Sequence, residues 1–263
     1  MVIIVAAILA FISIQLNPVQ QRNIKLEQMQ SILSAVNIES TTKDAESKFA
    51  EYIVDSYVIN TKGEKIQDRV AFDVDMKKEL SKIQEIKLLK EGFGSASVSP
   101  FKKFLGSFIN FKKVDKNKLE SKINTIEGER ELPVFVCQKD SDLYYIFPLR
   151  GKGLWGPIWG YIALEDNFAT IYGANFDHKS ETPGLGAEIK EDWFEAQFKN
   201  KSIFKDGKFV SVEVVKGGTE DSNPYGVDAI SGGTITSKGL ENMIFDCLNS
   251  YNNFLQVKKQ NNE

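Results

Sequence analysis

The sequence predicts an α+β fold: an antiparallel sheet with flanking helices, preceded by one N-terminal transmembrane helix. Three observations carry this. Four runs rich in Val, Ile, Tyr, Phe and Trp follow one another from Leu132 to Phe176, joined by short links. An apolar pattern at helical spacing closes the chain, and an uncharged apolar run opens it. The short links set the sense of the sheet, because a parallel return needs about a dozen residues or more whereas an antiparallel meander needs only a turn.

Met1 to Leu16 carries no charge, and the first charged side chain is Arg22. As a helix this run spans about 24 Å against a hydrocarbon core of about 30 Å, short for a span. A signal peptide is the rival reading. It would open on Lys or Arg and end in small residues, whereas this run ends in Gln15, Leu16, Asn17 and Pro18. We read an anchor. The missing basic flank leads us to expect a few further residues upstream, and it leaves the positive-inside rule nothing to count at that end. From Val19 to Val36 the pattern turns amphipathic, with Ile24, Leu26, Met29, Ile32, Leu33 and Val36 apolar, as in a stalk helix leading off a membrane. Thr41 and Asp44 fit a capping box, Phe49, Tyr52, Ile53 and Tyr57 fit the buried face of the next helix, and Tyr57 to Asn60 reads as a short strand into a turn.

Between Asp75 and Gly128 lie a helical fragment from Met76 to Leu88, a Gly/Ser/Pro stretch from Gly92 to Pro100, and lysines interleaved with Phe101, Phe104, Phe108 and Phe111. The Phe spacing fits one buried helical face with lysines on the solvated side. Leu132 to Cys137, Leu143 to Leu149, Pro157 to Leu164 and Phe168 to Phe176 are the expected strands. A helix around Glu191 to Phe198, a strand from Lys208 to Val215 and a helix beyond Ser237 complete the pattern, the last with apolar Leu240, Met243, Ile244, Cys247, Leu248, Tyr251 and Leu255.

Composition excludes several classes of function. At 263 residues and 42% hydrophobic the chain can bury a full core. A net charge of −3 and a pI near 5.5 argue against nucleic acid as a partner, since phosphate contacts need a basic excess. Cys137 in an apolar strand and Cys247 on an apolar helix face read as two buried thiols. One His and no Cys-x-x-Cys leave no basis for a protein metal site. No G-x-G-x-x-G follows a strand, so a Rossmann nucleotide site is not supported, and no acid, base or nucleophile triad stands out as catalytic.

Asp228 to Ser237, D-A-I-S-G-G-T-I-T-S, has the makings of a phosphate cradle. Ser231, Thr234, Thr236 and Ser237 offer hydroxyls, and Gly232 and Gly233 let backbone N–H groups approach an anion at the start of a helix. An ordinary N-cap is the competing reading. Elsewhere, Pro183, Gly184 and Gly186 around Leu185 make a stiff turn that can press backbone and one apolar side chain on a flat ligand. Trp155 reads either as the cover of a ring system or as core.

Asp228, Ser231, Gly232, Thr234 and Thr236 resemble the flavinylation motif of the FMN-binding domain family, with Gly233 where the family more often has Ala. The loops G-K-G-L-W (Gly151 to Trp155) and H-K-S-E-T-P-G-L-G (His178 to Gly186) are similar to signatures of the NqrC proteins of Na⁺-translocating NADH:quinone reductases, with one residue more between His178 and Glu181 than is usual. The three occur in the family's order. The resemblance implies FMN held covalently by a phosphoester to Thr236, with Ser231, Gly232, Gly233 and Thr234 around the phosphate. Trp155, Thr182 and Leu185 would then line the ring, Glu181 would order the loop, and Gly186 would belong to the same cofactor-binding loop. It further implies an electron relay within an assembly of six subunits that passes electrons from NADH to ubiquinone and exports Na⁺, matured by a separate flavin transferase. The setting would be a bacterial inner membrane, crossed once, with the flavin domain on the periplasmic side. On that basis residues 1–17 are expected as the transmembrane anchor, 18–130 as stalk helix and N-terminal part of the extracytoplasmic domain, and 131–263 as the FMN-binding domain. The alternatives are a G-type flavin subunit of an Rnf ferredoxin:NAD complex, against which G-K-G-L-W argues, and an anchored binding domain without flavin.

Overall fold

A computed structural model describes residues 2–94 and 116–262. The face carrying Phe101, Phe104, Phe108 and Phe111 lies outside them. Helix α1 (Val2–Ala35) is 34 residues long and runs unbroken through Pro18, so the expected change from anchor to stalk is no break in the helix. It is long and apolar enough to cross a membrane, with an 18-residue window of mean hydropathy 1.4 that is not buried against the described residues. The expected stalk needs correction, because its last turns belong to the core: Leu26, Ile32, Leu33, Ala35 and Val36 are buried. The helix stops where Asn37 adopts φ 55°, with Asn37 N–H donating to Ser34 O at 2.8 Å and Ile38 N–H to Leu33 O at 3.0 Å. This pair satisfies carbonyls the helix would otherwise leave open.

The Asp44 carboxylate accepts the Thr41 N–H and hydroxyl at 2.6 and 2.8 Å just ahead of α2 (Ala45–Tyr52). The expected buried face of this helix is only half right, since Ile53 and Tyr57 lie on strand β1 (Ile53–Ile59). After β2 (Lys65–Ile66), helices α3 (Met76–Gly94) and α4 (Lys116–Gly128) stand on either side of residues 95–115. The four expected strands appear as β3 (Leu132–Lys139), β4 (Asp142–Lys152), β5 (Pro157–Leu164) and β6 (Ile171–His178). One antiparallel sheet runs in the order β2-β1-β3-β4-β5-β6, so it takes strands from both sides of residue 130.

Alternation along the strands gives the sheet two buried faces. On one, Val134, Phe147, Leu149, Ile158 and Ile162 meet Leu240, Met243, Ile244 and Leu248. On the other, Phe135, Ile146, Tyr161 and Ala163 meet Ile32 and Leu33 of α1 and Val36 just beyond it. The sheet is thus the middle of three layers. Beyond it come a 3₁₀ turn (Gly186–Lys190), α5 (Asp192–Glu195), the pair β7 (Phe204–Lys205) and β8 (Lys208–Phe209), and the parallel pair β9 (Glu213–Val215) and β10 (Gly226–Asp228). The single strand expected from Lys208 to Val215 is split. Ser211 takes φ 64°, and both Val210 and Ser211 donate their N–H to Ile203 O, which turns the chain between β8 and β9. Helix α6 (Thr234–Ser250) begins ahead of the expected start, and α7 (Asn252–Asn262) follows a break at Tyr251, whose hydroxyl donates to Pro133 O at 2.8 Å. Cys137 and Cys247 are buried free thiols.

Candidate functional site

Three segments far apart in sequence leave the same end of the sheet. The β4–β5 turn closes with Gly153 N–H donating to Gly156 O at 2.8 Å, and β6 ends at His178 opposite Ile158, so the loop after it starts beside that turn. The first turns of α6 reach the same place, since Gly239 lies against the Lys152 carbonyl with no room for a side chain.

Glu181 ties the three together and is only 5% exposed. Its Oε1 accepts the N–H groups of Trp155 at 2.9 Å and Gly156 at 3.2 Å, and its Oε2 accepts the Thr236 hydroxyl at 2.5 Å. Room for this carboxylate comes from two missing side chains. A Cβ on Gly153 would sit 2.6 Å from Oε1, and one on Gly186 would sit 2.6 Å from Oε2 and 2.5 Å from Thr236 Oγ1. Burial pushes the Glu181 carboxyl up, but hydrogen bonds from Thr236 and from the Trp155, Gly156 and Leu154 N–H groups outweigh it, so the net displacement is downward and the group stays ionised. Its own N–H donates to His178 Nδ1 at 3.2 Å, and among the described residues the buried His178 Nε2 has no hydrogen-bond partner.

Thr236 is 2% exposed and lies inside the first turn of α6, not ahead of the helix. The N-cap is Gly233, which makes no side-chain cap hydrogen bond, so the reading of the hydroxyls as an ordinary N-cap is not met. Ser237 instead accepts the Ile230 N–H at 3.1 Å, which closes the turn before the helix. Gly232 has φ +74° and packs where its Cβ would meet Leu185 Cδ2 at 2.6 Å, which ties the loop ahead of α6 to the 182–186 loop. Asp228 serves a different end: its carboxylate accepts the Thr219 N–H at 2.7 Å beside β10.

Around Thr236 the surface is apolar. Trp155 is 66% exposed, Ile235 61% and Leu185 40%, so the reading of Trp155 as core is overturned. Ser231, Gly232, Thr234 and Thr182 are exposed, while Gly233 and Gly186 are buried. Apolar side chains beside a helix start whose cap offers no side-chain acceptor fit a flat ligand that carries a phosphate.

The FMN-binding domain family matches residues 153–249, which contain Glu181, Thr236 and Trp155. Among solved structures, the C subunit of a Na(+)-translocating NADH-quinone reductase from Parabacteroides distasonis is 36% identical with TM-score 0.70, the alignment covering 91% of this chain and 96% of that one. The chain belongs to the NqrC family. The NqrC of Shewanella oneidensis is 25% identical with TM-score 0.63, over 90% and 99% of the two chains. The C subunit of the Na(+)-translocating NADH-quinone reductase of Vibrio vulnificus strain YJ016 is 27% identical over 91% of this chain and 83% of its own length.

Within this NqrC fold, Trp155, Glu181, Leu185, Gly186, Gly232, Gly233 and Thr236 come together in one place, and Thr182, Ser231 and Thr234 border it. Sequence reasoning named none of Ile235, Gly153 and His178 among the site residues. The spacing of His178 and Glu181 is that of one turn, which was a usable signal. Among the described residues no group of three or more His, Cys, Asp or Glu is placed to hold a metal.

Proposed function

We propose that this chain is a membrane-anchored electron relay that carries FMN in phosphoester linkage to Thr236, within a complex that passes electrons from NADH to quinone and exports Na⁺. The observation that carries the reading is the convergence of three distant loops on the Thr236 hydroxyl through Glu181. The FMN-binding domain and the names of the relatives support the same conclusion.

In this reading each group has a physical task. Thr236 is the attachment residue, and the N–H groups of the first turn of α6, whose Gly233 cap has no side chain, favour phosphate charge. Trp155, Leu185 and Ile235 give the ring an apolar surface from which water is displaced. Thr182 and Ser231 border that surface as hydrogen-bonding groups. When bound, FMN supplies the electron-transfer chemistry, and the chain supplies orientation and environment. Helix α1 anchors the domain in a bacterial inner membrane with residues 19–263 on the periplasmic side, and the remaining five subunits, with a flavin transferase for maturation, are the partners. The test is the intact mass of the full chain co-expressed with the transferase. One added FMN phosphoester is the expected result, and an unmodified mass would overturn the reading.

A further inference from the structure

The Thr236 hydroxyl can become a phosphoester oxygen only by losing its proton, and the structure places a carboxylate on that proton. Thr236 Oγ1 donates to Glu181 Oε2 at 2.5 Å, and both side chains are buried. The other oxygen of Glu181 is pinned by the Trp155 and Gly156 N–H groups, so the carboxylate belongs mechanically to the 153–156 turn. Gly186, five residues beyond Glu181 in the same loop, lies against both the carboxylate and the Thr236 hydroxyl, and its missing side chain leaves room for the pair.

From this geometry we infer that Glu181 is a catalytic residue in the modification of its own chain, accepting the Thr236 proton as the flavin phosphate is transferred. The inference rests on covalent attachment at Thr236 as proposed above. The Oγ1–H bond breaks and its proton passes to Glu181 Oε2, while Oγ1 forms a bond to phosphorus. A phosphorus–oxygen bond to the leaving group breaks, and the leaving group keeps the electron pair. A plain FMN monoester could expel only hydroxide, so the donor is a flavin nucleotide whose phosphate sits in an anhydride, a flavin dinucleotide, which releases a nucleoside monophosphate. No oxidant or reductant is consumed. A carboxylate that receives a hydroxyl proton during phosphoryl transfer is an established arrangement for this reaction class.

The test uses the full chain with the flavin transferase and the flavin dinucleotide, following covalent flavin by in-gel fluorescence after denaturation. Glu181→Gln keeps an acceptor oxygen for the Trp155 and Gly156 N–H groups but cannot take the proton. We expect its initial attachment rate at pH 7 to fall about 10²–10⁴-fold, the usual range for a lost general base, with the melting midpoint little changed. Its rate should then rise about ten-fold per pH unit as hydroxide takes over, whereas the unmutated chain has a flat profile from about pH 6 to 8. Glu181→Asp should recover part of the rate with a flat profile, and it decides the matter by the same readout where the Gln variant does not fold. The charged and titratable side chains on the turns and element ends that meet at Glu181 include Lys152, Asp177, His178, Lys179, Glu188 and Lys190, with Lys238 paired with Glu241. A His178→Gln chain with a flat profile assigns the pH dependence to Glu181. Attachment to Glu181→Gln within about three-fold of the unmutated rate overturns the inference, as does a slower rate with an unchanged profile, which would make Glu181 a structural residue only. An unmutated chain that takes no covalent flavin overturns instead the reading on which the inference rests.

Discussion

Adding one methyl group at Gly186 should unfasten the centre of the site. The Cβ of Gly186→Ala would stand 2.5 Å from Thr236 Oγ1 and 2.6 Å from Glu181 Oε2, inside the contact distance of carbon and oxygen, so the pair must part. Leaving a buried carboxylate oxygen without its donor costs about 1–3 kcal/mol. Crowding in a packed region adds about 1–3 kcal/mol. A middle value of about 4 kcal/mol corresponds to a fall in Tm of about 8–16 °C for a domain of this size. Gly184→Ala is the comparison, because a Cβ there meets nothing within 4 Å and only the φ of +73° resists it, at about 1–2 kcal/mol. Thermal melts of both variants, followed by near-ultraviolet circular dichroism, check the argument. If Gly186→Ala melts no lower than Gly184→Ala, the steric account of this loop fails.

Thr236→Ala should abolish covalent flavin while Thr234→Ala keeps at least part of it, since Thr234 is exposed at the edge of the cradle; in-gel flavin fluorescence reads both, and labelled Thr236→Ala would refute the assignment. Trp155→Ala should alter the flavin absorption and leave the phosphoester intact, on the scale of an aromatic contact of about 0.5–1.5 kcal/mol; an unchanged spectrum would remove Trp155 from the ring. Burial pushes the Glu195 carboxyl from 4.5 up to about 8, against the Phe176 N–H bond and with Asp192, Asp177 and Glu191 adding to the rise. The folded state therefore binds this proton more tightly than the unfolded one, so the contribution is complete below about pH 4.5 and is lost as pH rises towards 8. Glu195→Gln should flatten that decline by about 1–2 kcal/mol after allowance for partial exposure, measured as urea midpoints at about pH 5 and pH 8.

The strands β3 to β6 were legible because each is a β-branched or aromatic run bounded by turn residues, and short links admit one sense of pairing. The end of α2 was not. Phe49, Tyr52, Ile53 and Tyr57 satisfy a helical period, yet the chain changes to a strand at Ile53, and a spacing rule read across a junction returns one answer for two elements. The α6 start was misplaced for a related reason, since threonines at its first and third positions look like loop chemistry, whereas the cap is the glycine before them. The attachment motif was visible as a local string. Its partner was not: Glu181 and Thr236 are 55 positions apart, and no periodicity reports which carboxylate a hydroxyl will meet. The buried Arg130–Glu79 pair, 51 positions apart, escaped for the same reason.

The continuity of α1 from Val2 to Ala35, with its last turns inside the core, gives an anchored chain a fixed compass bearing. No swivel separates the apolar half of the helix from the sheet, so the direction in which the site points around the helix axis is set by counting residues between the two. One residue inserted next to Asn23, ahead of the buried Leu26, would swing the whole domain by about 100° and raise it by about 1.5 Å. Four would bring it back to within about 40° of its starting azimuth, about 6 Å higher. With α1 in a membrane, as proposed above, the helix would work as an indexed shaft rather than a tether, and the angle at which the Thr236 face meets a neighbour would be written into the length of one helix.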